Sequence, residues 1–170
     1  MTKGKKLAAV FALAASFVIG GGAGYAIGHV VPANAKSGAS ARVRIGSIQN
    51  DGTVFAGISP NTQKSMYTTG TDAPGIYMFA EAQAYCSTLT EDGHKDWRDP
   101  SKDELDLLWG NRDEGMLRGT FNQTGSDPSG WYMSSSPNDD FSGWAQRFSD
   151  GLQGKYYVGR YGGSSLRCVR

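Results

Sequence analysis

The 170-residue sequence has little histidine and cysteine, no excess of either charge and no long amphipathic helical run. Past the N-terminal segment only one histidine and two cysteines remain, too few for the usual tetrahedral zinc sets. Nucleophilic catalysis needs a base beside the nucleophile. Past the N-terminal segment that base has a single candidate, His94, in the Gly93-His94-Lys95-Asp96 turn, where a structural hydrogen bond is the simpler role. The formal net charge is +1, from 17 basic and 16 acidic residues. Lys3, Lys5 and Lys6 are the only charges in residues 1–35, and without them 14 basic face 16 acidic residues, about −2. Nucleic-acid binders cluster Lys and Arg on one face, so no nucleic-acid partner is indicated. Internal repeats and low-complexity tracts are also missing. Present instead are 24 glycines and a large aromatic set of 4 Trp, 8 Tyr and 7 Phe, the composition of short strands joined by turns around an aromatic core.

The N-terminal segment reads as an export signal. The three lysines precede an apolar stretch, Leu7–Val31, and the positive-inside rule leaves the lysines in the cytoplasm and the rest of the chain outside. Two fates remain open. Ala33-Asn34-Ala35 is an A-x-A cleavage site, which would release a chain starting at Lys36. Alternatively, Leu7–Val31 as a helix spans roughly 37 Å, enough to cross a ~30 Å hydrocarbon core. Gly20, Gly24 and Gly28 would then let two such helices approach closely. The organisation expected is a signal peptide or signal anchor over 1–35, a linker over 36–42 and one domain over 43–170. Localisation is expected to be periplasmic, cell-surface or secreted, with membrane contact only through residues 7–31 if uncleaved.

In the exported part, Val43–Ile48 and Thr53–Ile58 flank Asn50-Asp51-Gly52, a hairpin signal. Met66–Thr69 reads as another strand. A first helix is expected over Ile76–Leu89, with Met78, Ala82, Tyr85 and Leu89 on one face and Phe79 and Cys86 beside it. A second helix opens on the capping box Ser101–Glu104 and ends at Gly110-Asn111. Trp131–Ser135, Trp144–Phe148, Lys155–Val158 and Leu166–Val169 are the remaining strand candidates. Turns over 136–140, at Asp150-Gly151 and over 161–163 separate them. Strands, two helices, then strands again make an α+β fold with antiparallel sheet. Cys86 and Cys168, in an oxidising compartment, read as a disulfide.

Four ordered motifs carry a resemblance. His94-Lys95-Asp96-Trp97-Arg98-Asp99-Pro100-Ser101 with Glu104-Leu105 resembles the Asp-Trp-Arg-x-Pro-Thr-x-x-Glu-Leu signature of a large bacterial family. The others are Gly130-Trp131-Tyr132 with Ser134-Ser135, Trp144–Gly151, and the closing Arg167-Cys168-Val169-Arg170. That family, of unknown function, is assigned the C-type lectin-like fold. Relatives end bacterial collagen-like adhesins, and formylglycine-generating enzymes use a related fold. The resemblance covers roughly residues 52–170 and implies a disulfide from the first helix to the last strand. It departs at Asp99, where the family usually has an aliphatic residue, and at Met133, where it often has Trp. Trp97 is read as a core anchor, Arg98 as a tie between loops, Glu104 as a helix cap, and Trp131, Trp144 and Phe148 as inward sheet residues.

The resemblance implies a fold and leaves the ligand open. The segment 136–165 mixes aromatic, hydrogen-bonding and glycine residues as recognition loops do. Its candidate contacts are Trp144, Gln153, Lys155, Tyr156, Tyr157, Arg160 and Tyr161. Asp127, Asn138, Asp139 and Asp140 are oxygen donors of the kind Ca²⁺ takes, although turns favour the same residues for backbone reasons. No other cofactor is indicated. The function expected is an exported, non-catalytic module that binds a glycan, matrix polymer or protein. The alternatives are a membrane-anchored structural envelope protein and an enzyme of the formylglycine-generating type.

Overall fold

The computed structural model describes residues 42–139, 142–157 and 163–170, with the side chains of Asp139, Tyr156 and Tyr157 outside that description. The expected signal segment 1–35 and most of the linker lie outside it. Among the described residues no helix is long and apolar enough to cross a membrane.

The elements are β1 (Val54–Ile58), β2 (Ser65–Thr68), α1 (Phe79–Thr88), α2 (Lys102–Asn111), a 3-10 turn (Gly115–Leu117), β3 (Trp131–Asp139), β4 (Ser142–Arg147) and β5 (Gln153–Tyr157). β1 and β2 form one antiparallel pair, and β3-β4-β5 a three-stranded antiparallel sheet. The α+β class is as expected.

β4 and β5 each start two residues before the expected position, and four larger differences from the sequence reading stand beside them. Residues 43–48 do not form a strand. A turn closed by Ser47 N–H on the Arg44 carbonyl, with Gly46 at φ 74°, leaves only Ile48 bridged to Val54. Helix α1 starts at Phe79 rather than Ile76, because Tyr77 exchanges backbone hydrogen bonds with Ser164 and is held extended. Glu81 then accepts the Met78 N–H at 3.0 Å and caps the helix. The expected turn over 136–140 is strand as far as Asp139, paired to Ser142 after a break in register. Leu166–Val169 is no regular strand. Val169 is bracketed by Thr68 on one side and Arg98 on the other, Cys168 and Arg170 bond the backbone of Thr69 and Tyr67, and Ser165 bridges Tyr132, so the segment changes partner along its length.

Alternation along β3 feeds two cores. Tyr132 joins Leu105, Leu108, Phe121, Phe148, Met66 and Val169. Met133, pointing to the opposite face, joins Ala82, Cys86, Trp97, Leu166 and Cys168. α2 supplies the first core and α1 the second. On β4, Gly143 lies against Phe79, the first residue of α1. A Cβ there would sit 2.5 Å from the Phe79 ring. The Cys86–Cys168 disulfide lies inside the second core and closes 82 positions of chain.

Candidate functional site

The Asp-Trp-Arg signature builds structure. Trp97 is 2% exposed and donates its indole N–H to the Glu91 carbonyl. Arg98 grips Glu104 with two bonds of 2.6 and 2.7 Å, the bidentate geometry of a guanidinium on a carboxylate. Glu104 also accepts from the Ser59 hydroxyl and the Ser101 N–H, while Ser101 accepts the Glu104 N–H, completing the capping box. Burial acts to raise the Glu104 pKa, but these donors, Arg98 first, outweigh it and hold the carboxyl at about 2. Arg98 therefore joins the interhelix loop to α2 and, through Glu104, to the end of β1. His94 sits in its turn 2.8 Å from Asp51, whose carboxyl also caps Thr53, the structural role expected of it.

A second charged centre was not anticipated from the sequence beyond the closing Arg-Cys-Val-Arg motif. Arg167 is fully buried. It bonds Asp72 at 2.8 Å and the Thr120 carbonyl at 2.7 Å, and its guanidinium lies 3.9 Å from the Phe121 ring centre. Tyr132 donates to the other Asp72 oxygen at 2.6 Å and accepts the Asn122 N–H. A lone Arg beside a Cys near a chain end gives no sign of such burial. Its partners are 95 and 47 positions away.

The structure brings three of the candidate contact residues together on the β4–β5 hairpin. Trp144 stands opposite Lys155, and Gln146 opposite Gln153. Gln153 donates to Gln146 and to the Lys102 carbonyl, which ties the hairpin to the start of α2. The Lys102 ammonium lies 4.1 Å from the Trp144 ring centre. Lys102 is a member that the sequence reading missed, since it lies 42 positions before Trp144 and is marked only by its place at a helix start. The arrangement is a half-buried indole flanked by an exposed lysine and by the ammonium of another. The backbone of Tyr156 and Tyr157 continues β5, while Arg160 and Tyr161 lie outside the described residues.

The inward assignment of Trp131 and Trp144 is corrected. Both are half-buried, Trp131 beside the Arg147 guanidinium, whereas Phe148 is fully buried as expected. The reason is that Tyr132 and Met133, on opposite faces of β3, already occupy the two core positions there.

Of the oxygen donors considered for Ca²⁺, Asp127 is exposed before a cis peptide bond to Pro128, and Asn138 donates its side-chain amide to Ser142. Asp140 and the side chain of Asp139 lie outside the described residues. Among the described residues, no three His, Cys, Asp or Glu side chains are grouped to hold a metal ion.

Asp99, the departure from the family pattern, is 3% exposed, and neither carboxyl oxygen meets a hydrogen-bond donor. Burial pushes its pKa well above the usual carboxylate value, against the pull of Arg98. With Gln83, Ser87, Arg98 and Ser135 it borders a cavity of about 310 Å³ on the α1 side.

No curated protein matches the chain. Residues 51–170, which hold both cores, the disulfide and the β4–β5 surface, match the family model of the Lcl C-terminal domain, and the chain belongs to that family.

Proposed function

We propose that the chain is an exported, non-catalytic binding module of the C-type lectin-like type. It recognises a surface glycan, a matrix polymer or a protein through the β4–β5 hairpin and the loop that follows. The observation that carries this reading is the grouping of Trp144, Lys155, Gln153 and Lys102 on one hairpin surface. Indole and amide groups of this kind recognise hydroxyl-bearing and peptide ligands by stacking and hydrogen bonding. The disulfide supports export, since such bonds persist in oxidising compartments. It also employs both cysteines structurally, which argues against redox or metal chemistry of the formylglycine-generating kind.

The test is a glycan and matrix-polymer array probed with the exported protein, with calcium and with chelator. Trp144→Ala and Lys155→Ala are expected to weaken specific binding at least tenfold while leaving the melting temperature within a few degrees. Loss of binding in the chelator lane would add calcium to the mechanism. Silence across the array from a folded sample would remove the glycan and polymer classes and leave a protein partner. Unchanged binding by both variants would move the site off this hairpin.

A further inference from the structure

Residues just before the family domain, with others of its first strand, build a surface that the binding function does not use. Val43, Ile45, Ile48, Ile58 and Met116 are between 37% and 58% exposed, and they gather around β1. The segment 42–48 lies along that strand. Gly46 donates to the Phe55 carbonyl at 2.8 Å, Phe55 donates to the Ser47 carbonyl at 3.0 Å, and Met116 donates to the Gly46 carbonyl at 2.8 Å. Seating is close. A Cβ on Gly46 would sit 2.2 Å from the Glu114 carbonyl oxygen, so only glycine fits. Arg42, Val43, Ile45, Phe55 and Ile58 border a groove of about 460 Å³. A segment held this firmly, with its aliphatic side chains turned to solvent, marks a contact surface rather than a loose end.

We propose that this face is the interface between two copies of this chain. Two observations select a second copy. The first is position. The chain reaches the groove rim at Arg42, directly after an N-terminal segment whose Gly20, Gly24 and Gly28 spacing suits pairing with its own kind. Residues 29–41 alone separate those glycines from the groove, so pairing in the one region favours pairing in the other. The second is charge. Arg42 and Arg44 are exposed at the start of the segment, and Glu114 is exposed beside Gly46. A two-fold axis sets the basic end of one copy against the acidic side of the other, the self-complementarity that an isologous contact requires. The aliphatic side chains between them are then buried.

The experiment uses the full chain in the membranes or envelope of the cells that make it. Ile45→Cys is oxidised mildly and compared with Ile76→Cys, an exposed position at the start of the α1 region. Cys86 and Cys168 are buried in their own disulfide and do not compete. The expected result is a disulfide-linked dimer from Ile45→Cys and little from Ile76→Cys, with the dimer lost when Ile58→Asp is added. As a check independent of folding, Glu114→Arg should raise the dimer dissociation constant at least tenfold in sedimentation analysis. Adding Arg44→Glu should restore it. Equal cross-linking at both positions, a monomer throughout, or no rescue by the charge swap would overturn the proposal.

Discussion

The two faces of the β3-β4-β5 sheet are stabilised in different ways. On the α2 face, buried charge is fully partnered. Arg167 has Asp72, Thr69 and Thr120, and Tyr132 ties the same Asp72 to the backbone at Asn122. On the α1 face the core is smaller, it is closed by a covalent bond, and it carries Asp99 with no donor at all. The contrast shows what burial of a charge requires. A guanidinium excluded from water is tolerated because every hydrogen-bonding group around it is used. An isolated carboxyl is tolerated only where something else, here the disulfide, offsets its cost.

The comparison can be broken most severely at Arg167. Arg167→Met leaves Asp72 and Tyr132 facing each other without the cation, and unfolding in denaturant is expected to show a loss of about 3–5 kcal/mol. A loss under 1 kcal/mol would mean that the network contributes specificity and little stability.

Next in size is the covalent bond of the other face. Cys86→Ser with Cys168→Ala removes the closure of a loop of 82 positions and should cost about 2–5 kcal/mol by the same measurement. If the α1 face owes its stability to packing instead, the effect will fall well below that range.

The smallest effect, and the one of opposite sign, belongs to Asp99. Asp99→Val removes the unpartnered carboxyl and should stabilise the protein by about 1–3 kcal/mol at pH 7. The pH profile checks the cause. The folded pKa of Asp99 is raised, so the folded state holds its proton longer, and stability falls as pH climbs from the ordinary value of 3.8 through the folded one. Asp99→Val should abolish that fall and show no advantage below about pH 4 from this source. Glu104 gives the mirror image. With its pKa lowered from 4.5 to about 2, its stabilisation is present above pH 4.5 and is lost as pH drops towards 2. Glu104→Gln should flatten that acid arm only. A profile unchanged by Asp99→Val would show that the carboxyl finds a partner in solution.

Much of this arrangement was legible in the residues. The Ser101–Glu104 capping box places α2 to the residue, because a cap is a local exchange of hydrogen bonds over three positions. The β4–β5 hairpin follows from turn chemistry at Asp150-Gly151, whereas the hairpin signal at Asn50-Asp51-Gly52 yields only the single bridge of Ile48 to Val54. The start of α1 was misplaced by three residues, since Ile76 and Tyr77 have helical spacing but are claimed by Ser164, a partner 87 positions away that no local pattern announces. In the candidate site, Trp144, Gln153 and Lys155 were foreseeable from composition, whereas Lys102 was not. Its role depends on α2 packing across the hairpin.

What the sequence by itself determined is the local grammar: a disulfide-forming pair, two helices of which the second shows its cap, short strands, and an order of motifs that fixes the family. Tertiary structure alone decided which charges are buried and with whom. Arg98 and Arg167 are the same residue type in similar motif positions. One is half exposed and grips a helix cap, while the other is sealed beneath Phe121. The physical reason is that a charge is stabilised by the groups that enclose it, and those arrive from segments whose meeting is set by the packing of both cores rather than by any neighbour in the chain.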